Sequence, residues 1–170
     1  MNGQTLTHPF PPVADGHCTT LILGSFPSVR SRQEGFFYGH PRNRFWKTLA
    51  TVYGEQTPET VPEKKAFLLS RHIALWDAAA ACTVEGSSDA SIRAALPTDL
   101  APLLETNPIR RVFCNGTTAG RLFLKFHPGF PLPVTVLPST SPANAAWTQE
   151  ALTAAWTVIN EEYSKNIGSL

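Results

Sequence analysis

No run of about 18 apolar residues occurs in this chain, so no membrane-spanning helix is expected. The first residues, Met1 to Phe10, lack a basic segment followed by an apolar one, which predicts no secretory signal. A cytoplasmic location follows as the expectation. Low-complexity tracts and internal repeats are absent, although 15 prolines and 11 glycines announce many loops. Cysteine is scarce: Cys18, Cys82 and Cys114 are far apart and odd in number. That spacing excludes a disulfide framework or a metal knot and predicts reduced, partly buried thiols. His8, His17, His40, His72 and His127 show no metal-ligand spacing, so no metal is expected. A Gly-x-Gly-x-x-Gly loop is missing after the first predicted strand, which argues against a Rossmann-type nucleotide cofactor. No cofactor of any kind is expected. Net charge is scarce too, at +1 for 170 residues, so any basic surface must be local. The length fits one domain, residues 1–170, with a real core.

The scarce charge is concentrated in one place. Gly24 to Trp46 carries Arg30, Arg32, Arg42, Arg44 and Lys47 just beyond it against a single acid, Glu34. Phe36, Phe37, Tyr38, Phe45 and Trp46 are interleaved with them. A loop that only has to turn does not use such residues. Cations beside aromatic faces grip phosphate and stack on bases.

The rest of the chain reads as alternating strands and helices. Met1 to Thr19 is expected to be an extended surface arm, with Phe10 tucked in. Thr20 to Leu23, Ile73 to Trp76, Arg110 to Cys114 and Pro133 to Leu137 are short apolar runs that predict buried strands. Asn43 to Tyr53 places Phe45, Leu49 and Val52 on one helical face, and Gly54 ends that helix. Further helices are predicted over Pro62 to Arg71, Ser91 to Ala95, Asp99 to Thr106, a stretch after Thr118 containing Leu122, Phe123 and Phe126, and Ala145 to Tyr163. Ala78 to Asp89 reads as an alanine run passing into a loop. The pattern implies a three-layer α/β/α sandwich around a four-stranded parallel sheet. The loops after the first and fourth strands start at C-terminal strand ends, where open α/β sheets bind ligands.

Three segments resemble the uracil-DNA glycosylase superfamily. They are Gly24-Ser25-Phe26-Pro27-Ser28, Tyr38-Gly39-His40-Pro41-Arg42-Asn43-Arg44-Phe45-Trp46, and Leu137-Pro138-Ser139-Thr140-Ser141. They come in the family's order and spacing, and the likeness runs from about Pro11 to the C-terminal helix. The middle segment is the specific one, and is very like that of mismatch-specific uracil glycosylases. The Phe10 to Asp15 run and the Tyr-Gly-His-Pro-Arg-Asn run resemble the hypoxanthine-DNA (deoxyinosine) glycosylase branch most. The resemblance implies hydrolysis of the N-glycosidic bond of a flipped, deaminated base in double-stranded DNA, hypoxanthine first and uracil or xanthine next, by a monomeric base-excision-repair enzyme.

The resemblance also implies roles. Asn43 is the implied catalytic residue, orienting water or bonding the base edge; its amide is equally suited to capping the helix that follows. Gly24 and Ser25 would present backbone to the base, with Tyr38 stacking on it. Phe26 is a further implied base-binding residue, and it stands where mismatch-specific enzymes carry an Asn, so it cannot handle water. His40 either steadies the departing base anion or supports the loop. Ser28, Arg42, Arg44, Ser139, Thr140 and Ser141 would hold phosphates, with turn and cap chemistry as the rival for the serines. Pro142 to Asn144 would be a wedge entering the duplex. Asp77 and Asp89 are no more than supporting groups. The second motif lacks the His of the most efficient uracil enzymes, and the four cysteines of the iron–sulfur branch cannot be formed from three. Lys47, Lys64, Lys65, Lys125 and Lys165 sit in helical or solvated contexts, which predicts no Schiff-base lyase step. Two rivals remain: a mismatch-specific uracil or thymine glycosylase, and a damage-binding module without turnover.

Overall fold

The computed structural model describes residues 4–84 and 93–161. Its centre is a parallel sheet of β2 (Thr20–Gly24), β3 (Ile73–Asp77), β6 (Arg111–Asn115) and β7 (Val134–Leu137), in the order β3-β2-β6-β7. The register aligns Ile22 with Leu75 on one side and Phe113 on the other. Side chains alternate across a strand, so Ile22, Leu75, Phe113 and Leu137 share one face. They pack against Phe45 and Leu49 of α2 (Phe45–Val52), Leu68 of α3 (Val61–Ser70), and Leu152 and Trp156 of α6 (Gln149–Trp156). Leu21, Leu23, Val112 and Cys114 face the other way, onto Leu103 of α4 (Ala101–Thr106) and Phe123 of α5 (Thr117–Phe126). Burial on both faces explains why β2, β3 and β6 are nearly unbroken apolar runs. The expected α/β/α sandwich with a four-stranded parallel sheet is present.

A second sheet was not expected. β1 (Gln4–Thr7), β4 (Ala79–Val84) and β5 (Arg93–Pro97) form an antiparallel sheet in the order β1-β4-β5. The alanine run is therefore a strand, and Arg93 to Ala95 is strand where a helix was predicted; Ser91 and Glu85 to Asp89 lie outside the described residues. Ala-Ala-Ala-Cys has no readable period, and its partners fix its conformation: β1 from the far end of the chain and β5. The N-terminal arm is correspondingly part of the fold. Thr7 to Gln4 pair with Ala81 to Val84, and Val13 exchanges both backbone hydrogen bonds with Leu75, at 2.9 and 3.0 Å. Val13 thereby covers the edge of β3, which would otherwise leave its backbone groups unpaired.

Two smaller differences concern helices. A short helix, α1 (Val29–Glu34), interrupts the loop after β2; its six residues show no apolar face, and Ser28 caps it by accepting from the Ser31 N–H. The last helix begins at Gln149, capped by Thr148, and passes into a 3-10 turn at Thr157–Asn160; Tyr163 lies outside the described residues. No described helix is long and apolar enough to cross a membrane.

Candidate active site

Three loops meet at the C-terminal edge of the parallel sheet. The first follows β2 and runs to α2. The second follows β7, and the third is the Asn115-Gly116 turn between β6 and α5. A buried polar chain joins them. Asn115 Nδ2 donates to Thr140 Oγ1 at 3.0 Å, and Asn115 Oδ1 accepts from the Thr140 N–H at 3.0 Å. The Thr140 hydroxyl in turn donates to Asn43 Oδ1 at 2.8 Å. Thr140 is wholly buried, so its groups need these partners. Gly116, at φ +97°, allows the crossing: a side chain there would meet the Ser139 Cβ at 2.9 Å.

Asn43 Oδ1 also accepts from the Phe45 N–H at 3.0 Å. That bond fixes which side of the amide is oxygen, since a backbone N–H can only donate. An amide oxygen has two lone pairs, and both are engaged, by Phe45 and Thr140. The Asn43 Nδ2 hydrogens donate to none of the described residues. Asn43 therefore does support the helix, although Arg44 occupies the cap position itself. It keeps its donors in reserve.

The other candidates fall around it. Tyr38 has a left-handed backbone, φ +53°, and its ring stacks on Phe45 at 4.1 Å. Gly24 is tightly approached: a Cβ there would overlap the Asp77 carboxylate and stand 2.8 Å from the Tyr38 hydroxyl. Ser25 is buried beside it. Phe26 is 7% exposed and packs with Ala79 and Cys82 against the small sheet, under the Arg32 guanidinium. Its ring is core, so only its backbone faces other uses. His40 Nδ1 accepts from the Arg42 N–H at 3.0 Å and its carbonyl accepts from the Asn43 N–H at 2.9 Å, so it shapes the turn that presents Asn43. That bond puts the proton of a neutral His40 on Nε2.

The cations divide by what holds them. Arg30 pairs with Glu34 at 2.9 Å on the surface, and Arg32 donates to the Pro27 carbonyl at 2.9 Å. Arg44 donates through its two terminal nitrogens to the carbonyls of Trp147 and Asn144, at 2.7 and 3.2 Å, while its N–H donates to the Thr140 carbonyl at 3.0 Å. Arg44 thus ties the first loop to the second. Arg42 and Lys47 have no side-chain partner among the described residues. In the second loop Ser139 Oγ accepts from the Ser141 N–H, Ser141 Oγ accepts from the Ala143 N–H, and Asn144 Nδ2 donates to the Ser139 carbonyl. Ser28 caps α1 and donates to Ser31 Oγ. Pro142 is half-buried, and Trp147, a few residues on, is 38% exposed.

Two contributors escaped the sequence reading. Asn115 stood in a plain Asn-Gly turn, one residue past the predicted strand. His8 Nε2, on the arm, donates to Asp77 Oδ2 at 2.8 Å, and both side chains are nearly inaccessible, at 6% and 5% exposure. No group of three or more His, Cys, Asp or Glu residues that could hold a metal is found among the described residues.

A half-buried tyrosine, an amide with both N–H groups unused by the described residues and a serine-threonine loop thus meet at the C-terminal edge of a parallel α/β sheet, the edge where such sheets bind ligands. The chain belongs to the uracil DNA glycosylase superfamily, whose family model matches residues 11–161. Among curated proteins it is 37% identical over 145 residues to a hypoxanthine DNA glycosylase of Methanosarcina acetivorans, covering 82% of this chain and 89% of that one. It is 34% identical over 113 residues to a hypoxanthine DNA glycosylase of Methanosarcina barkeri, covering 65% and 72% of the two chains. The solution NMR structure of a candidate uracil DNA glycosylase from Methanosarcina acetivorans matches with a TM-score of 0.77 and 31% identity, covering 93% of this chain and all of that one.

Proposed function

We propose that the protein is a monofunctional DNA glycosylase of base excision repair that hydrolyses the N-glycosidic bond of a flipped deaminated base, hypoxanthine before uracil or xanthine. It works without a cofactor, as a monomer of one domain, in the compartment that holds the DNA. The carrying observation is the Asn43 amide: its oxygen is filled by Phe45 and Thr140, and its nitrogen is unspent at the edge of the sheet where ligands bind.

The chemistry follows from that arrangement. Extrusion of the nucleotide costs on the order of a few kcal/mol, least where the base is already mispaired. The freed base stacks on Tyr38, over backbone supplied by Gly24 and Ser25. As the glycosidic bond breaks, the base takes on negative charge and the sugar positive charge. Asn43 Nδ2–H donates to the base as that charge grows, and a pre-oriented donor in a site closed to water by the bound base is worth far more than one in water. Its oxygen has no lone pair left to accept from a water, so water enters without help from Asn43. That division suits a slow enzyme. Thr140 and Asn115 hold the amide in place. Ser28, Ser139 and Ser141 keep their loops in shape and offer N–H and hydroxyl groups to flanking phosphates. Arg42 is the phosphate cation, Arg44 braces the loop, and Pro142 leads the wedge.

The test is a set of end-labelled duplexes, each with one hypoxanthine, uracil or xanthine, treated with the protein and then with alkali. Hypoxanthine release above uracil, lost by about 10²–10³-fold in Asn43→Ala, is the expected result. Release of uracil alone assigns the mismatch-specific activity instead. Binding without release from any duplex leaves a damage-binding module.

A further inference from the structure

The end of the molecule that carries the site also carries cations that the site leaves unused. α3 passes into β3 through Arg71 and His72 alone, so it runs back along the sheet and its first turns lie at the C-terminal edge, with the site loops. Those turns hold Lys64 and Lys65. Lys64 Nζ stands 5.3 Å from the centre of the Trp46 ring, and Lys65 Nζ 5.8 Å from the centre of the Phe36 ring. The two rings are stacked on each other, 6.1 Å apart and 13° from parallel. The Trp46 indole N–H donates to the Phe37 carbonyl at 3.3 Å, next to Tyr38. Aromatic residues of the first loop thus hold two lysines beside it. Neither lysine is salt-bridged to a carboxylate among the described residues. Of the acids nearby, Glu34 is paired with Arg30, and Glu63 accepts from the Glu59 and Thr60 N–H groups at the start of α3. Burial lowers the Lys64 pKa against the opposing pull of Glu34, so its ammonium is incompletely compensated. Lys47, in the first turn of α2 at the same edge, is exposed and also unpaired among the described residues.

We propose that Lys64 and Lys65, with Lys47 beside them, form a docking surface for the phosphate backbone of undamaged duplex DNA, which keeps the protein on the duplex while it searches; the search role rests on the glycosylase reading above. Phosphates repeat at every base pair, so contacts to them hold a protein without reading sequence and let it slide. An ammonium suits that task, because it is a compact point charge with no fixed fork to match to one phosphate. Long lysine side chains lose rotamer freedom when they bind, and the Trp46 and Phe36 rings meet part of that cost in advance by ordering the stems. The net charge of the whole chain is only +1, so attraction to a polyanion has to come from a local concentration such as this one. Two tasks are thereby separated: Asn43 and Tyr38 deal with one extruded nucleotide, and the lysine face deals with any duplex. Trp46 and Phe36 link the two, since they belong to the loop that carries the site.

The test is the affinity of the full-length protein for an undamaged labelled duplex, measured over a series of salt concentrations, with melting temperature recorded alongside. Wild type is compared with a Lys64→Gln, Lys65→Gln double variant, a Lys64→Arg, Lys65→Arg double variant, and Lys125→Gln. Lys125 lies in the last turn of α5, at the opposite edge of the sheet, and serves as the control for charge alone. Each phosphate neutralised adds about 0.9 to the slope of log affinity against log salt. The glutamine pair should therefore reduce the slope by about 1–2, and the arginine pair should keep it. Lys125→Gln should leave the slope as in wild type. Should the glutamine pair melt early, Lys65→Gln alone, at an exposed position, makes the same test with a change of about 1. An unchanged slope in a glutamine variant that melts like wild type overturns the proposal. An equal fall in Lys125→Gln does so too, since it marks a general effect of charge. On a hypoxanthine duplex, the loss in the glutamine pair should fall on KM and not on kcat; a loss confined to kcat places these lysines in the cleavage step and also overturns the proposal. A wild type that releases no base from any duplex contradicts the glycosylase reading, and the slope of the glutamine pair still decides the docking surface.

Discussion

The parallel and antiparallel sheets are built on different terms. The parallel sheet has two buried faces, helices on both, and fully buried Leu21, Ile22, Leu23 and Leu75 at its centre. The antiparallel sheet has a core of Phe26, Ala79 and Cys82, with half-buried Leu6 and Ala95 against it. Hydrophobic stabilisation scales with apolar area removed from water, so the first sheet carries the fold. The second contributes little area but a specific placement: it brings His8 from the N-terminus to Asp77, 69 residues away in the chain. The first sheet carries stability and the second carries placement, and the two are joined at Phe26 and at the end of β3.

That division can be broken from the heavy side first. Phe113→Ala empties a buried position in the parallel sheet and should cost about 3–5 kcal/mol, read from the midpoint of denaturant unfolding. Leu6→Ala in the small sheet removes a half-buried side chain and should cost about 1 kcal/mol by the same measurement. Costs of similar size would mean that both sheets belong to one core. Next comes Thr140→Val, which removes the hydroxyl between Asn115 and Asn43. Asn43 keeps its Phe45 bond but loses its second anchor, and single-turnover release of hypoxanthine should fall by about 10–100-fold with the fold intact.

Thiol labelling sharpens the comparison further. Burial pushes the Cys114 thiol up to about 12 and the Cys18 thiol up to about 11. At pH 8 neither offers a useful thiolate fraction, and both should resist a disulfide reagent until the parallel sheet opens. Cys82, buried in the small sheet, should react first, because smaller cores open at lower free energy. Simultaneous labelling of all three would show one cooperative unit. The smallest effect belongs to His127, whose pKa burial lowers from 6.5. The unfolded chain binds that proton more readily. The His127 contribution is therefore complete above pH 6.5 and lost as pH falls through that value toward the lower folded one. His127→Gln should flatten that part of the stability profile slightly.

The same contrast governs what was readable in the amino-acid order. β2, β3 and β6 were legible because burial on both faces leaves nearly unbroken apolar runs, and β7 because its β-branched residues stand between prolines. The site-bearing loops were legible because each follows such a strand, and the Tyr38 to Trp46 motif located Asn43. β4 and β5 were not, since an alanine run takes its conformation from its partners. α1 has no apolar face to show a period. Asn115, Thr140 and Asn43 form one chain of bonds across 97 residues, and nothing local in an Asn-Gly turn announces it. The serine positions were readable as turn and cap residues, and the local bonds of Ser28, Ser139 and Ser141 have that form.

The central claim is that Asn43 acts as a donor, and Asn43→Asp tests it directly. Aspartate keeps the oxygen that Phe45 and Thr140 bond, and it adds an acceptor suited to water, but it has no N–H. Single-turnover release of hypoxanthine from a labelled duplex should drop by about 10²–10³-fold, as far as in Asn43→Ala, while duplex binding persists. An Asn43→Asp protein that releases hypoxanthine as fast as wild type, or faster, would show that this position works by holding water and would contradict the account.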